Sequence, residues 1–234
     1  MRRALVVLGL FTALLSGCFQ HFEEFRQLAP PVRPSGATEV PPGPLPEVFP
    51  LRPGARYDYD AHFGLGAGIF SGSASLSVVD AYQLGDREID TIELISRYFG
   101  RSRHDPYRFV RQGGWIGLFE KAPPDKVTFF MPDHLAAGMA WDVLTGEGKG
   151  HAAVEALDDV RVKAGDFPNT PRLHYVNPSA GEDITLWLAP HVGLVQADVR
   201  MTVDLLPLVG RLSLAAYQAP LGDASSPGLS APGG

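Results

Sequence analysis

The chain has 234 residues, 45% of them hydrophobic and 20% charged, with a net charge of −6 and a single cysteine. The acidic balance excludes charge-driven binding to nucleic acid or to anionic lipid. A lone cysteine excludes an intramolecular disulfide, so the fold must rest on its apolar core.

The first element is a leader. Arg2 and Arg3 precede an apolar run from Ala4 to Leu15, and small residues follow in Leu15-Ser16-Gly17-Cys18. A basic start, a short apolar stretch and small residues before a cut make a secretory signal peptide. The run is well short of the roughly 20 residues that a spanning helix needs. Because it closes on Leu-Ser-Gly-Cys, the segment 1–17 resembles a bacterial lipoprotein signal. That resemblance implies a diacylglycerol on the Cys18 thiol, cleavage before Cys18 and acylation of the new amine. At about 0.8 kcal/mol per buried methylene, two or three such chains hold a soluble domain at a bilayer, whereas one binds marginally. Loss of Arg2 and Arg3 with the leader takes the net charge to −8.

Residues 18–54 read as a lipidated N-terminus and a linker. Phe19, Phe22, Phe25 and Leu28 recur every three residues, which fits a short amphipathic helix or the unstructured start of a tether. Ala29 to Gly54 holds nine prolines in 26 residues, the composition of a semi-rigid polyproline spacer reaching on the order of 80 Å.

From Ala55 the pattern changes to period two, the mark of strands with one wet face. Tyr57, Tyr59, Ala61 and Phe63 alternate with Arg56, Asp58, Asp60 and His62. Further strands are expected at Ile69 to Val79, Glu88 to Phe99, Pro106 to Gln112, Trp115 to Lys121, Lys126 to Met131 and Met139 to Val143. Gly113-Gly114 is a hairpin signal. Glu147 to Val162 reads as a long strand interrupted near Asp158-Asp159, followed by a turn over Ala164 to Pro168 and strands at Arg172 to Val176 and Ile184 to Leu188. In Val192 to Asp204, Val195, Ala197, Val199, Met201 and Val203 face one way and Gln196, Asp198, Arg200 and Thr202 the other. Pro207 to Gly210 reads as a turn into a last strand around Leu212 and Leu214, and the Pro, Gly, Ser and Ala of 218–234 read as a disordered tail. The expectation is a mainly β domain over 55–217, a single curved antiparallel sheet of about ten strands, half-barrel or barrel-like, without a helix of ten residues or more.

Three motifs in the second half carry a resemblance: Leu135…Gly138…Trp141, Val162-Lys163-Ala164-Gly165-Asp166-Phe167, and Trp187-Leu188-Ala189-Pro190-His191-Val192-Gly193-Leu194-Val195. Their order over 132–217 resembles a broad group of uncharacterised bacterial envelope proteins and lipoproteins. Members of that group are similar to the lipoprotein-carrier (LolA/LolB-like) fold. The resemblance implies a curved sheet around an apolar cavity; its motifs are structural and imply no catalytic residue.

No catalytic or metal motif accompanies it. None of the seven histidines pairs with another at metal-ligand spacing. Asp133-His134 and His104-Asp105 are sequence neighbours, and Asp58, Asp60, Asp158 and Asp159 lack calcium-loop spacing. Gly64, Gly66 and Gly68 form a hairpin loop without a following helix, and GxSxG is absent. Cofactors are expected to be none. Trp115, Trp141, Trp187, Phe129 and Phe130 either line an apolar pocket or fill a β core. In the first case Tyr57, Tyr59, Trp141, Trp187, Val195, Val199 and Met201 face a hydrophobic ligand such as an acyl chain. Three functions follow: a non-enzymatic envelope lipoprotein that binds or assembles around a hydrophobic ligand, a structural or protein-interaction lipoprotein with a filled core, or an enzyme with a scattered site. Its partners are the membrane, through the lipid on Cys18, and no nucleic acid. Phe19 after Cys18 resembles outer-membrane rather than inner-membrane sorting.

Overall fold

The alternation seen from Ala55 onward leaves each strand one apolar face, and such faces are buried by curling the sheet around them. The computed structural model describes residues 33–40, 47–98, 100–119, 127–145, 148–203 and 206–220. Every regular element among them is a strand: β1 Thr38–Glu39, β2 Arg56–Leu65, β3 Gly68–Leu84, β4 Arg87–Tyr98, β5 Arg101–Gln112, β6 Trp115–Phe119, β7 Val127–Pro132, β8 Ala140–Thr145, β9 Gly148–Val162, β10 Gly165–Asn177, β11 Glu182–Ala189, β12 Gly193–Val203 and β13 Leu206–Gln218.

They form one antiparallel sheet in the order β7-β6-β5-β4-β3-β2-β13-β12-β11-β10-β9-β8, with β1 added to the outer end of β3. The chain therefore makes two up-and-down meanders, and the last strand returns to pair with the first long one, from Leu208↔Leu65 to Gln218↔Arg56. The result is a nearly closed barrel whose seam lies mid-chain, between the sequence neighbours β7 and β8. Closure by first and last strands removes two edges that would otherwise be open to pairing with other chains.

The inward faces are those the alternation predicts. Tyr57, Tyr59, Ala61 and Phe63 of β2 and Val195, Ala197, Val199 and Met201 of β12 are all buried in one continuous core. Gly113 and Gly114 both have positive φ and make the two-residue turn between β5 and β6, the geometry in which glycine is favoured.

Among the described residues the strands number thirteen rather than about ten, and several of them run further than expected. Strand β10 begins at Gly165, directly across from Val162, so the turn is the dipeptide Lys163-Ala164 and not Ala164 to Pro168. The interruption expected near Asp158-Asp159 is a register shift on the partner strand, between Phe167 and Thr170. Extra residues on one strand of a pair bend it without ending it. Strand β13 already starts at Leu206, with Pro207 opposite Thr202.

Residues 47–54, read from sequence as spacer, pack against the barrel. Val48 and Leu51 are buried, and the Gly54 amide donates to the Val78 carbonyl at 3.2 Å. Proline content sets the backbone of this stretch, while its interspersed Val48, Phe49 and Leu51 supply the apolar area that docks it. The segment closes the end of the barrel where β2 begins, next to the 190–192 turn: the His191 amide donates to the Glu47 carbonyl at 2.9 Å.

Candidate functional site

The candidate lipidation residue Cys18, the leader 1–17 and the tail from 221 onward lie outside the described residues. The first described residues, 33–40, contact the body of the sheet. Arg33 makes a two-nitrogen pair with Asp80, at 3.0 and 2.6 Å, beneath which β1 pairs with Tyr82 and Gln83. This contact lies at the end of the barrel that 47–54 closes.

The residues proposed to line a ligand cavity divide into two groups. Tyr57, Tyr59, Val195, Val199 and Met201 point inward and meet protein, with Val195 and Val199 at 0% exposure and Met201 at 7%. Zero exposure leaves no water-sized void beside Val195 and Val199. The Tyr59 hydroxyl crosses the interior to donate to the Leu194 carbonyl at 3.0 Å, and that of Tyr57 donates to the Pro50 carbonyl at 3.4 Å. Burial raises the pKa of both phenols well above the ordinary value, so they act as neutral donors. Trp141 also faces inward, half-buried beside Ala152 in the register, and donates its indole N–H to the Phe130 carbonyl at 2.8 Å. Its ring meets that of Trp115 edge to face at 6.5 Å.

Trp187 belongs to the other face. Its neighbours Leu186 and Leu188 are buried inward, whereas Trp187 pairs with Arg172 and Gln196 on the outer surface. The indole N–H donates to Asp158 at 2.9 Å, and Arg172 donates to the same carboxylate oxygen at 3.2 Å. Expecting Trp187 to share a cavity with Tyr59 and Val199 fails on strand parity: Leu186 and Leu188 take the inner positions on either side of it.

Two polar clusters were not singled out from sequence. In the first, Glu88 and Asp90 of β4 and Arg111 of β5 lie on the inner face beneath 47–55. Arg111 donates to Asp90 at 2.7 Å, to Glu88 at 3.1 Å and to the Phe49 carbonyl, and Arg52 also pairs with Glu88. Burial pushes the Asp90 carboxyl up to about 7, against the opposing pull of Arg111. The cluster anchors the closing segment through Arg111 and Arg52. In the second, His174 stands between Glu155 and Asp183, 3.0 Å from each. Partial burial works against its charged form, but the hydrogen bonds to Asp183 and Glu155 outweigh that effect and raise its pKa. Alternation placed these side chains on a face, but the spacing Glu155…His174…Asp183 carries no signal until the register of β9, β10 and β11 is known. Among the described residues no group of three or more His, Cys, Asp and Glu gathers as a metal site.

No family model and no curated protein matches the chain. Among solved structures, it is similar to a candidate exported protein with a YmcC-like fold from Bacteroides fragilis, at 11% identity and a TM-score of 0.47, covering 74% of this chain and 99% of that one. It is also similar to a candidate lipoprotein from Parabacteroides distasonis, at 13% identity and a TM-score of 0.45, covering 75% and 100% respectively.

Proposed function

We propose that this chain is a lipid-anchored bacterial envelope lipoprotein whose barrel is a non-enzymatic interaction module, working through its outer surface. The observation that carries the outer-surface reading is the complete burial of Val195 and Val199, with the Tyr59 hydroxyl satisfied inside. An acyl chain held in the concavity would have to displace those side chains, so the filled-core reading is preferred to the carrier reading. The buried convergence of Asp, Glu and Arg side chains at Asp90, Glu88, Arg52 and Arg111 is engaged in holding 47–55. That favours a binding role over catalysis. The anchor reading rests on the Leu15-Ser16-Gly17-Cys18 motif and on the absence of any other cysteine.

Fractionation of cells and native mass spectrometry test both halves. The wild-type chain is expected with membranes, carrying covalent acyl mass and no further lipid, while Cys18→Ser is released or stays unprocessed. A Cys18→Ser chain of normal size that still sediments wholly with membranes overturns the anchor. A stoichiometric non-covalent lipid retained by the purified protein overturns the filled core.

A further inference from the structure

The outer surface carries a groove of about 640 Å³ between the β9–β10 hairpin and strands β11 and β12, with Trp187 and Gln196 on one side and Asp158, Asp159, Arg161 and Asn169 on the other. We infer that this groove is a binding site for a neutral oligosaccharide, with the Trp187 ring as its stacking platform and the Gln196 and Asn169 amides as its hydroxyl-reading groups. The inference rests on the outer face being the working surface, and it is independent of the anchor.

The platform is held in place. Asp158 accepts from the Trp187 indole N–H at 2.9 Å and is itself fixed by Arg172 at 3.2 Å, so the ring is ordered before any ligand arrives. Preordering of this kind reduces what binding must spend on fixing side chains. The far wall is fixed as well. Asn169 adopts φ 52°, a left-handed conformation that asparagine tolerates better than most residues, and its backbone N–H donates to the Asp159 carboxylate at 3.1 Å. That conformation turns the chain at the bulge and brings the Asn169 side chain to the groove.

The chemistry selects the ligand class. The Gln196 and Asn169 side-chain amides make no hydrogen bond among the described residues, and each offers both donor and acceptor atoms. Anionic ligands find their counter-charges already engaged: Arg161 by Asp166 at 2.6 and 3.0 Å, Arg172 by Asp158. A purely apolar ligand would cover Asp158, Asp159, Gln196 and Asn169 and leave polar atoms unpaired. A sugar suits both surfaces, since its C–H face packs on an indole ring while its hydroxyls donate to and accept from amides and carboxylates.

A glycan array probed with the full chain, followed by tryptophan-fluorescence titration of the positive oligosaccharides, tests the site. At least one neutral oligosaccharide is expected to bind. Trp187→Ala should weaken it tenfold or more, and Trp187→Phe by less because a ring remains. Gln196→Ala should weaken it several-fold with the denaturation midpoint unchanged, since this side chain makes no hydrogen bond among the described residues. Trp115→Ala, away from the groove, should leave binding unchanged. Failure of every neutral glycan to bind, binding that survives Trp187→Ala intact, or selection of anionic polymers or peptides alone overturns the proposal. None of these outcomes bears on whether Cys18 is acylated.

Discussion

The indole nitrogen of Trp141, on β8, donates a 2.8 Å hydrogen bond to the backbone carbonyl of Phe130, on β7. These two strands are the edges of an otherwise continuous sheet. A side chain thus bridges the one place where the backbone ladder stops. Phe130 is itself buried and packs edge to face on Phe109 at 6.1 Å, while Phe109 stacks on Phe49 of the closing segment at 6.2 Å. Seam and closing segment are therefore joined through three aromatic rings.

Trp141→Phe keeps most of the ring and deletes the donor. The Phe130 carbonyl then loses its partner, and a loss of about 1–2 kcal/mol in unfolding free energy is expected. Amide hydrogen exchange should show the increase confined first to 127–132 and 140–145. Equal protection in the variant would show that the seam does not depend on this bond.

Asp90 makes stability depend on pH. Its carboxyl is wholly buried, with Arg111, Glu88 and Arg52 around it, and is raised from 3.8 to about 7. Between those values the folded state holds a proton that the unfolded chain has released, so stability falls as pH rises through this window. The slope contributed by one such group is at most about 1.4 kcal/mol per pH unit. Chemical denaturation of the wild type and Asp90→Asn between pH 4 and 8 should show the slope in the former and its reduction in the latter. Parallel profiles would assign the dependence to other groups.

His174 acts in the same direction over a different window. Its pKa is raised, so its stabilising charge is fully present below the ordinary histidine value of 6.5 and is lost as pH climbs through the folded-state value. Because the pair partners Glu155 and Asp183 are substantially exposed, the contribution is well below about 1 kcal/mol. His174→Gln should therefore lower the thermal midpoint slightly at pH 6 and not at all near pH 9. A larger loss at the higher pH would contradict the charge assignment.

Gly150 lies under the Tyr175 ring: a Cβ at this position would sit 2.4 Å from the Tyr175 Cε2. Tyr175 is buried, so the ring has no free direction in which to retreat. Gly150→Ala is expected to destabilise the protein by about 1–3 kcal/mol through overpacking, measured as a shift in the denaturation midpoint at unchanged slope. A neutral result would mean that the ring repacks.

A conservative change tests the interior polar bond. Tyr59→Phe removes the hydroxyl and leaves the Leu194 carbonyl without this partner, at an expected loss of about 1 kcal/mol. Unchanged stability would imply that water takes the place of the hydroxyl, and hence that the interior is wetter than its burial indicates.

The sequence alone determined the class of fold and the side of each strand. Side chains alternate along a strand by covalent geometry, so Tyr57, Tyr59, Val195, Val199 and Met201 could be placed on the buried face from their own segments. Turn glycines such as Gly113 and Gly114 were legible for the same local reason. Tertiary structure decided what depends on pairing. Register brought Asp158 to Trp187 and put His174 between two carboxylates. Pairing of Gly165 with Val162 put the turn at Lys163-Ala164 and not at Ala164–Pro168. Strand parity alone would have put Trp187 outside, but aromatic character suggested a core position, and the structure sided with parity. The docking of 47–54 was hidden because proline content reports backbone stiffness and not the contacts of Val48 and Leu51. Local periodicity is a property of the chain, whereas the groove, the buried Asp90 cluster and the mid-chain seam arise between strands far apart in sequence, where only the closed sheet fixes their distances.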